Sequence, residues 1–368
     1  MASRRPSTGD AELDQRIRDI VADVGTKRND DLIRDLVSTA LLMDREDLDR
    51  LDLKIASRAL IEMREAWHVF RPYDARPKVA IFGSARTPRE DPAFQQAHDF
   101  GARIAERGWM VLTGAGPGIM TAGIEGAGRE NSFGINIELP FEPEASPAIM
   151  GDDKLINFRY FFTRKLSFVK ESNAFVMLPG GFGTMDEAFE LLTLVQTGRS
   201  APVPIVLLEA PGATYWQKWI EFAHHELLDN GMIREADLSL VCRTDSIDEA
   251  VDEICRFYGT YHSIRFVAGR LVFRLEREVS DDELVALNDD FADIVTEGEI
   301  ERTEASGAER SDGDVPDLPR LALAFDNRSF SRLRQLIDAL NAGGPTPEHP
   351  RSDLPHHVVP GLGAGPED

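Results

Sequence analysis

The stretch Ala174-Phe175-Val176-Met177-Leu178-Pro179-Gly180-Gly181-Phe182-Gly183-Thr184-Met185-Asp186-Glu187 decides how this chain is read. An unbroken apolar run, Ala174–Leu178, is the signature of a strand buried on both faces, as in a parallel sheet covered by helices. A proline and three glycines then turn the chain, and Met185–Gln196 carries apolar residues at helical spacing. Glycines let backbone amides turn inward as an anion nest, and the start of a helix adds partial positive charge. A strand, a glycine turn and a helix in this order make a holder for a phosphate group. Its candidate residues are Gly180, Gly181, Gly183 and Thr184, with Thr184 placed both to cap the helix and to donate to a phosphate oxygen. The absence of Gly-Lys-Ser/Thr excludes a Walker A loop. Glu187 falls in the first helical turn, its carboxylate toward the same pocket; a capping box with Thr184 is the competing reading of that spacing.

The same unit recurs on both sides. Val79–Phe82, Met110–Thr113, Gly134–Glu138, Pro204–Leu208 and Leu238–Cys242 read as further strands. Ala93–Arg107, Ile119–Arg129 and Tyr215–Leu228 read as helices between them. The expected fold is α/β, a doubly wound Rossmann-like parallel sheet over residues 75–259. In such sheets ligands bind beyond the carboxyl ends of the strands. Two further glycine turns stand there, Gly83-Ser84 after the first strand and Gly114, Gly116 and Gly118 after the second. Their spacing is not G-x-G-x-x-G, so dinucleotide binding is not expected.

Flanking pieces are expected on either side: a helical extension over 1–74 and a small α/β appendage over 260–341. In the first, Leu32, Ile33, Leu36, Val37, Ala40 and Leu41 follow Asp30-Asp31 at helix-face spacing, and Leu48 to Trp67 continues a second stretch. The appendage is expected to hold a hairpin turning at Ala268-Gly269, a helix over Asp281–Ile294, a strand at Leu321–Phe325 and a helix at Ser329–Leu340. Thr296–Pro319, acidic and rich in Ser, Gly and Pro, reads as a disordered linker, and 342–368 as a disordered tail.

Composition bounds the function. The formal net charge is −23, a field that repels nucleic acid and anionic membranes. No apolar run is long enough to cross a bilayer and the first residues are polar, so a soluble, cytoplasmic protein is expected. Cys242 and Cys255 are too few for a disulfide framework or a zinc site, and His356-His357 near the end read as an accident of composition; no metal is expected.

Pro-Gly-Gly-x-Gly-Thr-x-x-Glu at 179–187 resembles the signature of the Lonely Guy family of nucleoside 5′-monophosphate phosphoribohydrolases, once misnamed lysine decarboxylases. The resemblance spans roughly Val79 to Tyr258 and includes Gly83-Ser84, the glycine run with Ile119-Met120, and Arg164-Lys165. It implies hydrolysis of the N-glycosidic bond of AMP-like nucleotides, cytokinin riboside monophosphates among them, to free base and ribose 5-phosphate. It further implies catalytic roles for Arg164 and Glu187, substrate contacts from Gly83, Ser84, Gly114, Gly116 and Lys165, no cofactor, and a homo-oligomer. Phe161 and Phe162 stand where the family often has Met-His, a departure that bears on the base. The chemistry agrees with the residue types: a carboxylate stabilises the oxocarbenium-like sugar and activates water. Glu190, one turn beyond Glu187, is a candidate second acid. A nucleotide or molybdenum-cofactor carrier or sensor without turnover is the alternative. A pyridoxal-dependent decarboxylase finds no cofactor context around Lys165 or Lys170.

Overall fold

The computed structural model describes residues 5–25, 29–138, 145–350 and 354. The chain falls into two units, Met1–Arg64 and Glu65–Asp368. The first holds α1 (Ala11–Val24), α2 (Asp30–Arg45) and most of α3 (Arg50–Phe70). Asp10 caps α1 by accepting from the amides of Glu12 and Leu13 at 3.0 and 3.1 Å, and Gly25 closes it at φ +74°. Apolar spacing forms α2, yet Leu32 and Leu36 stay 57% and 50% exposed.

The second unit is built on seven parallel strands: β1 (Lys78–Phe82), β2 (Met110–Thr113), β3 (Ser132–Ile137), β4 (Leu155–Phe158), β5 (Ala174–Met177), β6 (Ile205–Leu208) and β7 (Cys242–Thr244). Their order is β4-β3-β2-β1-β5-β6-β7. Alternate residues of each strand feed opposite faces. Val79, Ile81 and Val111 pack under α4 (Pro92–Glu106), α5 (Ile119–Ala127) and α9 (Ile247–Phe257). Ala80, Phe82 and Leu112 pack under α6 (Phe161–Glu171), α7 (Phe182–Gln196) and α8 (Tyr215–Phe222). Each buried Phe, Leu or Ile contributes roughly 2 kcal/mol. The doubly wound α/β fold is thus present, with two departures from the expected strands. Edge strand β4 alternates buried and exposed residues and lacked the unbroken apolar run of the others. Leu238–Cys242 is not a strand, because Glu235–Leu240 forms a 3₁₀ helix and β7 begins only at Cys242.

A second sheet, antiparallel, has the order β10-β11-β9-β8. Its strands are β8 (Tyr261–Val267), β9 (Arg270–Leu275), β10 (Glu301–Thr303) and β11 (Arg320–Leu323), accompanied by α10 (Asp281–Asp290), α11 (Gly307–Asp312) and α12 (Phe330–Ala342). The β8–β9 turn is at Ala268-Gly269, both at positive φ. The reading of 296–319 as a disordered linker is corrected, since β10 and α11 lie within it. The reason is one buried carboxylate. Glu309 on α11 accepts from Arg274 of β9 at 3.0 Å and from Arg320 of β11 at 3.3 Å, all three residues being buried. Residues 342–350 also hold defined contacts, among them Arg107 donating to the Pro347 carbonyl at 3.4 Å; most of the remaining tail lies outside the described residues. The second sheet does not stand apart from the first. Leu333, Leu336, Ile337 and Leu340 of α12 join Val251, Ile254 and Phe257 of α9 in one apolar cluster. Asn341 stitches the seam, accepting from the amides of Thr260 and Tyr261 and donating to the Phe257 carbonyl.

Candidate active site

The strand order reverses direction at the middle of the large sheet, where β1 leads outward to β2 and β5 leads the other way to β6. The crevice at such a switch point is where this fold binds ligands. Here the two loops are zipped together: the Leu178 amide donates to the Phe82 carbonyl at 2.8 Å and the Ser84 amide to the Pro179 carbonyl at 3.1 Å. The Ser84 carbonyl in turn accepts from the Ile119 amide at 3.1 Å, which ties in the loop after β2. That loop reaches the contact because Gly118 sits at φ +65°, where a Cβ would also strike the Ser84 carbonyl. Gly116 is held through its carbonyl by Thr121 Oγ1 at 2.9 Å.

The third loop differs in one respect from its sequence reading. Helix α7 starts at Phe182, inside the glycine motif, with Gly181 as its N-cap and no side-chain cap bond. Met185 is the residue whose amide first finds a helical carbonyl, that of Gly181 at 3.1 Å. The N–H groups of Phe182, Gly183 and Thr184 therefore have no intrahelical acceptor and stand at the positive end of the helix dipole. Thr184 is buried in the first turn rather than capping the helix, and Glu187 falls in the second turn, so no capping box joins them. Tyr215, which no local signal marked, fixes this loop by donating its hydroxyl to the Gly180 carbonyl at 2.6 Å. Its partner lies 35 residues away in sequence, beyond any pattern in a single element.

Arg164 comes from α6 on the same face. Its Nε donates to the Ile135 carbonyl at 2.8 Å, and its guanidinium lies 5.3 Å over the Phe168 ring. The guanidinium runs so close to Gly114 that a Cβ there would overlap Nη2. Burial lowers the Arg164 pKa, and the Glu187 charge opposes that shift. Glu187 is moved the other way: burial raises its carboxyl to about 7, against the pull of Arg164 and Lys165. Glu190 and Asp186 push it further up. The two residues that the resemblance nominated thus lie near enough for each charge to shift the other's pKa.

Lys165 is arranged differently from expectation. Its ammonium pairs with Asp186 at 2.9 Å and with Glu190. Burial would lower its pKa, but these two hydrogen bonds carry it above the ordinary value. Two of its three N–H donors are thereby engaged. Phe161 and Phe162 are half exposed at the start of α6, with Phe162 stacked on Tyr160 at 5.5 Å. Phe182 is 96% exposed on the third loop. A cleft of about 630 Å³ opens beside Ser84, Pro179, Gly180 and Tyr215, and Glu187 does not line it.

Residues 118–254 match the family model described as "Possible lysine decarboxylase". The chain is 26% identical over 176 residues to a cytokinin riboside 5′-monophosphate phosphoribohydrolase of Mycobacterium marinum, covering 47% of this chain and 90% of that protein. It is 27% identical over 175 residues to the protein of the same name in Mycobacterium tuberculosis, with 47% and 90% covered. The family-model match falls within the α/β domain from which the nonapeptide resemblance was read, and both relatives carry the phosphoribohydrolase name that the resemblance implied. Among solved structures, the molybdenum cofactor carrier protein of Chlamydomonas reinhardtii shares 25% identity at a TM-score of 0.33, with 48% of this chain and 94% of that one covered. The molybdenum cofactor binding protein of Rippkaea orientalis shares 21% at 0.35, with 48% and 94% covered. Superpositions this loose decide nothing between a hydrolase and a carrier. No helix among the described residues is long and apolar enough to cross a membrane.

Proposed function

We propose that this protein hydrolyses the N-glycosidic bond of nucleoside 5′-monophosphates. Water adds at C1′ of the ribose, the C1′–N bond breaks, and a proton reaches the leaving base; the products are free base and ribose 5-phosphate. The observation that carries this reading is the Glu187 carboxyl, raised to about 7 by burial and set against Arg164 next to the open amides of α7. A group with a pKa near working pH exchanges protons readily, which suits general-base activation of water. Its carboxylate form also stabilises positive charge growing on the sugar. The amides of Phe182, Gly183 and Thr184 are free to take the 5′-phosphate, as helix starts do. The charge of Arg164 favours the carboxylate form of Glu187 and opposes the rise in its pKa. The two mycobacterial relatives are named for cytokinin riboside 5′-monophosphates, and such ribotides are among the substrates this reading admits.

The test is incubation with AMP and other nucleoside monophosphates, following free base and ribose 5-phosphate by chromatography. Release by the native chain that disappears in Glu187→Gln is the expected result. Nucleotide binding with no product from any base would overturn hydrolysis in favour of a carrier or sensor.

A further inference from the structure

The described residues contain one convergent group of three or more His, Cys, Asp or Glu side chains, and it lies outside the proposed active site: His224, His225 and Asp229. Adjacent residues on an α-helix diverge, so His224 and His225 would not share a ligand in regular geometry. The chain departs from that geometry here. After α8 it continues as a π-helix over Ala223–Leu228, and the Asp229 amide closes on the His224 carbonyl at 3.0 Å, an i to i+5 bond. In the widened turn Asp229 lies below both histidines, four residues from one and five from the other. His225 Nδ1 is 3.3 Å from Asp229 Oδ2, and His224 Nδ1 is 3.7 Å from Oδ1. All three donor atoms fall within 4.8 Å of one another. π turns are rare, cost backbone regularity, and recur at functional sites.

We propose that this π turn is a divalent transition-metal site, with zinc as the best-matched ion. Tetrahedral zinc with bonds of about 2.1 Å to nitrogen and oxygen places ligand atoms about 3.4 Å apart, close to the two spacings found here. Imidazole and carboxylate are the donors that zinc and its first-row neighbours prefer. All three residues are exposed, so binding needs little desolvation and leaves positions for water. The chain's formal charge of −23 raises the local concentration of cations.

The experiment uses the full chain without a polyhistidine tag. Zinc is titrated in competition with a chromogenic chelator, and cobalt(II) is added separately to read coordination geometry from its visible spectrum. One zinc per chain is expected, weakened at least about tenfold in His225→Ala and in Asp229→Asn. The His356→Ala/His357→Ala double variant should bind as the native chain does. His225 and Asp229 are exposed, and an unchanged thermal melt excludes misfolding as the cause. Zinc binding unaffected by the π-turn variants, loss on removing the tail histidines, or no binding at tens of micromolar zinc would each overturn the assignment. Glu187→Gln should bind zinc normally, so the outcome is independent of the proposed hydrolysis.

Discussion

Two charges decide what the candidate site can do. Glu187 sits where water is scarce and its carboxyl rises to about 7, while Arg164 and Lys165 restrain the rise. If the carboxylate is the working form, kcat/KM for AMP climbs with pH below about 7 and levels above it, and Glu187→Gln loses both the rate and the inflection. Arg164→Ala removes the largest opposing charge, so its residual activity should show the inflection at higher pH. An inflection that stays in place would separate Arg164 from Glu187. The same carboxyl has a stability signature. The folded chain keeps a proton that the unfolded chain releases near its ordinary value, so Glu187 costs nothing below that range. Its cost grows as pH rises from the ordinary carboxylate range to about 7 and is constant above that. Glu187→Gln should therefore match the native protein in urea melts at pH 4 and exceed it at pH 8, by on the order of 2 kcal/mol. Of the site residues, Arg164 and Glu187 were legible because each sits in a motif. Tyr215 was not, since its role is a contact with Gly180 that only the folded loop creates.

Helix starts and one short helix separate pattern from packing. The sequence places a helix after Thr184, but α7 starts at Phe182 because Gly181 is extended enough to serve as cap. That shift opens three amides instead of adding a threonine cap. Helix α11 shows the opposite error, in which composition hides an element. Its capping box, Ser306 with Glu309, is local. Its anchor is not: Glu309 threads between Arg274, 35 residues back, and Arg320, 11 residues ahead. Burial would raise the Glu309 pKa, but the Ser306 amide and the Arg274 guanidinium hold it at about 2. Its contribution is thus present above the ordinary carboxylate range and lost as pH falls toward 2. Glu309→Gln should leave the buried Arg320 guanidinium without a carboxylate partner and Arg274 with Asp314 alone, and destabilise the chain by about 3 kcal/mol at pH 7, read by urea denaturation. A loss under 1 kcal/mol would mean that α11 is held by something else.

At the scale of the molecule, the second sheet shares its core with the first. α12 packs on α9, Asn341 bonds across the seam, and Arg334 on α12 pairs with buried Glu253 on α9. A chain ending at Tyr258 would expose this face, so it should retain helical circular dichroism but lose a cooperative melt; a sharp transition would show that the α/β unit folds alone. The sequence by itself determined the alternation of strands and helices, the glycine turns at the strand ends, and the two charged residues of the candidate site. These follow from local rules, since burial on both faces demands apolar runs and close backbone approach demands glycine. Tertiary structure alone decided which loops meet, where α7 begins, that Lys165 is held by Asp186 and Glu190, and that 296–319 is ordered. The meeting of the loops, the Lys165 pairing and the order of 296–319 rest on partners contributed by other elements, and a buried charge is stable only where the fold supplies that partner.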